Sequence, residues 1–163
     1  SYGVTGLGSE SYPDFIKALC ESTGANYLAC KKNSICLSAD VGGAYDPCYA
    51  DAYEATNSVY IHRGVAVSKY TGSRGKSGCS DASAETLAKV ARIFDDAGVA
   101  WQVGEYGKVD QGGAGTVATE VAALNIDVVD CGVPILSMHS TGELASKGDI
   151  YMMYKADKAF YAS

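Results

Sequence analysis

The chain has 163 residues, 47% of them hydrophobic and 20% charged, which is enough for one domain with its own core and too little for two. Thirteen Lys and Arg against nineteen Asp and Glu give a formal charge of −6 with no basic cluster, and this excludes a protein that tracks nucleic-acid phosphates or an anionic membrane. The apolar runs, such as residues 133–138, fall far short of the roughly 18 residues of a membrane span, and no signal-type segment opens the sequence, so a soluble cytoplasmic protein is the expectation.

In chain order, Pro13 suits a first helical turn, and Phe15, Ile16 and Leu19 follow on one side, predicting a helix to about Glu21. Residues 34–39 (SICLSA) form a short apolar run before Gly42 and Gly43, predicting a buried strand that ends at Asp40. Residues 65–70 predict another strand, followed by a polar loop at 71–78. Leu87, Val90, Ala91 and Phe94 keep the i, i+3, i+4, i+7 spacing of a core-facing helix, with Ser80 or Asp81 to cap its start and Gly98 to close its end. Residues 101–105 read as a strand. Gly112, Gly113 and Gly115 lead into a helix over 117–124, residues 128–129 and 133–138 read as two further strands, and Asp149 caps a last helix through Phe160. Alternating strands and helices predict a layered α/β sheet, and the near-continuous apolar run VPILSM requires helices on both of its faces.

The six cysteines (Cys20, Cys30, Cys36, Cys48, Cys79, Cys131) include no Cys-x-x-Cys pair. A chain with a sufficient core needs no disulfide staples, so buried reduced thiols are expected rather than disulfides or a structural zinc.

Polar residues at strand ends are the candidates for chemistry in such a sheet. Asp40 and His139 each close an apolar run, and carboxylate oxygen and imidazole nitrogen both suit Zn²⁺. On spacing alone a second reading stands beside this one: Asp40 begins a turn into the glycines, and His139 bonds locally. The loop from Asp110 to Thr116 can present backbone amides to an anion or a substrate carbonyl, or can be a tight turn; it matches neither G-x-G-x-x-G nor the P-loop pattern. Lys69 either reaches a cleft or lies along the surface. His62 is read as structural or exposed, and Glu143 as a support for His139 or a cap for nearby amides.

Taken together and in order, LSADV at 37–41, KYTGSRGKSGCSDA at 69–82, GKVDQGGAGT at 107–116, DCGVPILSMHSTGE at 130–143 and SKGDIYMMYKADKAF at 146–160 resemble the aminopeptidase I / aspartyl aminopeptidase family of dinuclear zinc exopeptidases. The resemblance covers nearly the whole chain. It implies a three-layer α/β/α fold with a mostly buried mixed sheet, and two zinc ions bridged by a carboxylate and a water. Mapped onto the family motifs, Asp40 binds one zinc and His139 the other, while Lys69, Gly115 and Thr116 lie near the substrate cleft, where an acidic N-terminal side chain is a plausible contact. The family's early His, its bridging Asp and its Glu-Glu pair, which includes the general base, have no counterpart here. The opening SYGVTGLGSE resembles the stretch that follows that pair. Residues 1–163 are therefore expected to be the C-terminal portion of a catalytic domain, incomplete at the N-terminus, without the family's lid and assembly domain, and inactive alone.

The implied parent is a metal-dependent aminopeptidase acting on peptides as a homo-oligomer. Two local departures bear on the site: Ala114 interrupts a run that is often four glycines, and Thr141-Gly142 stands where the family commonly has Pro-Phe. Two rival readings are a non-catalytic scaffold or assembly subunit with the same fold, and a nucleotide-binding α/β module, against which the missing phosphate fingerprint counts.

Overall fold

The structure is a computed structural model that describes residues 3–74, 80–108 and 110–163. The elements run α1 (Ser11–Thr23), α2 (Tyr27–Asn33), β1 (Ile35–Gly43), β2 (Val65–Ser68), β3 (Gly72–Ser73), α3 (Ala84–Asp96), β4 (Trp101–Val103), β5 (Gly113–Ala114), α4 (Ala118–Ala123), β6 (Asp127–Leu136), β7 (Leu144–Ala145) and α5 (Lys147–Ala162), with a 3-10 segment at Pro47–Ala52. The main sheet has the order β1-β6-β2-β4, with β7 also on β6, while β3 and β5 form a separate ribbon. β1 runs parallel to β6 and β4 parallel to β2, whereas β2 is antiparallel to β6, so the sheet is mixed.

Alternation along the strands sorts side chains onto two faces. On one face Val65, Val67, Val129 and Cys131 meet Val90 and Phe94 of α3 and Met153 and Ala156 of α5. Phe94 is fully buried, and each such large apolar side chain contributes about 1.5–3 kcal/mol. On the other face Val128 packs with Ala118 and Val121 of α4 and with Ile126, beside Leu7 and Cys36. Helices therefore cover both faces, and the α/β/α layering is the one expected.

Several boundaries differ from those read in the sequence. The segments at 128–129 and 133–136 are one strand, β6, because Asp130 and Gly132 hold the ladder rather than break it, while Ser137 and Met138 belong to the turn that follows. Pro134 is tolerated inside it at the step where the antiparallel neighbour changes from β2 to β7. β1 continues three residues past Asp40 to Gly43. The cap of α3 is Ser83, whose hydroxyl accepts the Thr86 N–H at 3.1 Å, while Ser80 and Asp81 pair with the backbone of Thr71 and Tyr70. Likewise Ser146, not Asp149, caps α5. Asp149 is buried and accepts the His62 and Gly64 N–H groups at 2.7 and 2.8 Å, tying the turn before β2 to α5. His62 is structural in this sense, its Nδ1 lying 2.9 Å from the Ser146 hydroxyl.

Cys20, Cys30, Cys36, Cys48 and Cys131 are free thiols, of which Cys20 and Cys131 are buried as expected, Cys30 and Cys36 half-buried and Cys48 exposed; Cys79 and most of the loop expected at 71–78 lie outside the described residues. Among the described residues no helix is long and apolar enough to cross a membrane.

Candidate functional site

A cleft of about 460 Å³ opens over the α4 face of the sheet. Its floor follows from strand parity: Asp40 of β1, Ser68 of β2 and Asp130 of β6 all stand on the face opposite α3 and α5. Its walls are Thr71 and Gly72, the turn around Tyr106 to Lys108, the glycine segment from Gly112 to Thr116, and the turn at Met138 and His139. Asp40 and His139, ninety-nine positions apart in the chain, thus reach one cavity, together with Gly115 and Thr116.

Asp40 is set by its own strand. It lies within β1 opposite Gly132 of β6, and one of its carboxylate oxygens accepts the Val41 N–H at 2.8 Å. Gly132 permits this approach, since a Cβ there would stand 2.0 Å from the Asp40 carbonyl oxygen. His139 lies three residues beyond β6, in a turn where both it and Ser137 have positive φ (67° and 58°). Non-glycine residues held in the left-handed region cluster at functional sites. The Glu143 carboxylate accepts the His139 N–H at 2.6 Å and fixes this turn, so of its two readings Glu143 fulfils the amide-capping one.

Sequence reasoning passed over Asp130. It sits in register between Ser38 of β1 and Ser68 of β2, and it accepts hydrogen bonds from the Ser38 hydroxyl at 2.7 Å and from the Thr116 hydroxyl. Burial pushes its carboxyl above the ordinary range, the two hydroxyl donors pull it partly back, and the neighbouring Asp40 raises it again. The usable signal was a lone acid in an otherwise apolar strand, DVVDCGV. Thr116 is correspondingly a fastener: its hydroxyl also accepts the Ala118 N–H at 3.2 Å, pinning the glycine segment to the start of α4 and to β6. The hydroxyl's proton is thus committed to Asp130.

Lys69 corrects the expectation of a cleft contact. Ser68 and Tyr70 line the cleft, so alternation turns Lys69 away, and its ammonium bonds to the Asp81 carboxylate and, at 3.2 Å, to the Ala82 carbonyl. Lys108 is instead the lysine on the cleft wall. At the far end the Tyr106 ring lies against Gly43, where a Cβ would come within 1.7 Å of a ring carbon. With Asp40, Glu105, Asp110 and Asp130 on its lining against Lys108, the cleft is acidic and suits cations.

The donor chemistry of Asp40 and His139 fits zinc, but among the described residues no group of three or more His, Cys, Asp or Glu comes together to enclose an ion. The fit is therefore partial, with two donors offered from one side of an open cavity.

The sequence profile of the family described as Aminopeptidase I zinc metalloprotease (M18) matches residues 1–161. A probable M18 family aminopeptidase 1 of Clostridium acetobutylicum is 43% identical, over 98% of this chain and 35% of its own length; its counterpart in Thermotoga maritima is 44% identical, over 96% and 36%. The chain thus spans about a third of the length of the curated relatives it matches. The crystal structure of aminopeptidase I from C. acetobutylicum superposes with a TM-score of 0.91, again over 98% of this chain and 35% of that one. The mApe1 dodecamer of S. cerevisiae, at 19% identity and a TM-score of 0.76 over 99% of this chain and 35% of that one, shares the fold.

Proposed function

Because the chain belongs to the aminopeptidase I (M18) family of zinc metalloproteases, we propose that it forms the C-terminal portion of the catalytic domain of an enzyme that hydrolyses the N-terminal peptide bond of peptides. The single observation that carries this reading is the convergence of Asp40 and His139 on the cleft that Gly115 and Thr116 also line.

In this reading Asp40 and His139 each hold one of two zinc ions, which when bound supply Lewis-acid polarisation of the scissile carbonyl and activation of the attacking water. The chain's own residues orient and enclose. Asp130, Ser38 and Thr116 lock β1, β6 and the glycine segment into one unit, so that both carboxylates keep their places. The backbone of Gly115 and Thr116 faces the substrate, and the acidic lining favours the ammonium of a free N-terminus. With only two donors in hand, residues 1–163 are inactive by themselves, and the general base comes from outside this stretch. A homo-oligomeric parent is part of the proposal, supported by the relative solved as a dodecamer.

The test is an aminopeptidase assay on the complete zinc-loaded enzyme. Chelation should abolish cleavage and zinc should restore it, while Asp40→Ala and His139→Ala should each lower kcat/KM by at least about 100-fold, the scale of a damaged metal site. Cleavage that survives exhaustive chelation would rule out the metal-dependent mechanism.

A further inference from the structure

The serine and threonine hydroxyls at the cleft are, with one exception, committed to the protein. Ser38 and Thr116 donate to Asp130, and Ser68 donates to the Gly104 carbonyl at 3.2 Å. Thr71 is different. Its residue is only 8% exposed, it lines the cleft, and its Oγ1 is fully buried with no hydrogen-bond partner among the described residues. Burying a hydroxyl without a partner is unfavourable, so such a group points to one that arrives with a ligand.

The backbone holds Thr71 in place. Its N–H donates to the Ser80 carbonyl at 3.0 Å, and the next two residues, Gly72 and Ser73, pair antiparallel with Ala114 and Gly113. Continuing that register by one step puts Thr71 across from Gly115, on the segment assigned to substrate contact. At Gly115 the direction a side chain would take is open space, which leaves room for another main chain to lie there.

We infer that Thr71 is a substrate-contacting residue, its hydroxyl hydrogen-bonding the main chain of a bound peptide that runs past Gly115. The inference rests on the aminopeptidase reading. A hydroxyl both donates and accepts, as an amide does, so the contact serves peptides whatever their N-terminal side chain.

The experiment uses the complete zinc-loaded enzyme with Thr71→Val, which keeps the shape and removes the hydroxyl, and Thr71→Ser, which restores it. The valine variant should lose roughly two- to tenfold in kcat/KM, the scale of one hydrogen bond, and by a similar factor for peptides with different N-terminal residues. The serine variant should recover most of that loss. Without substrate, the valine variant should melt at or above the wild-type temperature, because it no longer buries an unpaired hydroxyl. Equal kcat/KM for the valine variant and an active wild type overturns this inference alone. So does a lowered melting temperature of the valine variant without substrate, which would mean a protein partner for the hydroxyl, and so does a loss confined to one N-terminal residue. A wild-type enzyme that cleaves no peptide with zinc present overturns the aminopeptidase reading, and this inference with it.

Discussion

Asp130 is a carboxylate whose fold works against its charge. Its folded value lies above the unfolded one, chiefly because of burial, so the folded state binds this proton more tightly than the unfolded chain does. The stability it contributes is therefore complete below the unfolded value and is lost as pH rises through the folded value. In metal-free protein at neutral pH the ionised group is a net cost. Asp130→Asn keeps an acceptor for the Ser38 and Thr116 hydroxyls while removing the charge, so its melting temperature in chelator should exceed the wild type's at pH 7, with the gap closing as pH falls towards 4. A variant less stable than wild type at pH 7 would contradict this account. Asp40 and His139 stood out in the sequence because metal-ligand side chains sat where apolar runs end, and the family resemblance then gave each a role. Asp130 stayed hidden because the acid and glycine around Cys131 looked like the end of a strand, whereas its partners, Ser38 and Thr116, are remote in sequence and no local pattern announces them.

At the scale of elements, β6 organises the site, since it pairs with β1, β2 and β7 and leads directly into the turn that carries His139. Its weak point is Gly132. An alanine there would place a methyl group against the Asp40 carbonyl, so β1 and β6 would have to part where the site needs them together. Gly132→Ala should cost about 1–3 kcal/mol, the scale of an overpacked interior, read as a lower midpoint in urea with an unchanged slope. A wild-type midpoint would show that the two strands can shift freely. α3 was legible because a 3.6-residue period survives over two turns, from Leu87 to Phe94, whereas α2, seven residues with none buried, carries no such stripe and was not read in the sequence. The pairs β3–β5 and β6–β7 involve two-residue strands, too short to express a period of two, and they are set by neighbours distant in sequence. The caps shifted by a few residues for a related reason: several serines and aspartates precede each helix, and tertiary pairing of Ser80, Asp81 and Asp149 decides which remains free to cap.

At the scale of the whole molecule, the sheet order leaves one side of β1 without a strand partner among the described residues. Nearby in sequence, α1 and α2 leave Phe15 and Leu28 each 63% exposed and Leu19 50% exposed. An open edge beside exposed apolar side chains invites association. Residues 1–163 purified alone should therefore self-associate, with an apparent mass in light scattering that rises with concentration; a monodisperse 16.9 kDa species with a single cooperative melt would refute this. The same topology governs when the cleft can come into being. The hydrogen bond from Ser38 to Asp130 spans 92 positions of sequence, and among the described residues β6 is the strand that pairs with β1. During synthesis at roughly 5–20 residues per second, β1 waits on the order of ten seconds after it emerges for its partner to follow. Closing so distant a parallel pairing is also intrinsically slow, so the acidic pocket should be among the last parts of this stretch to mature, and until β6 arrives the edge of β1 that it will cover stays open.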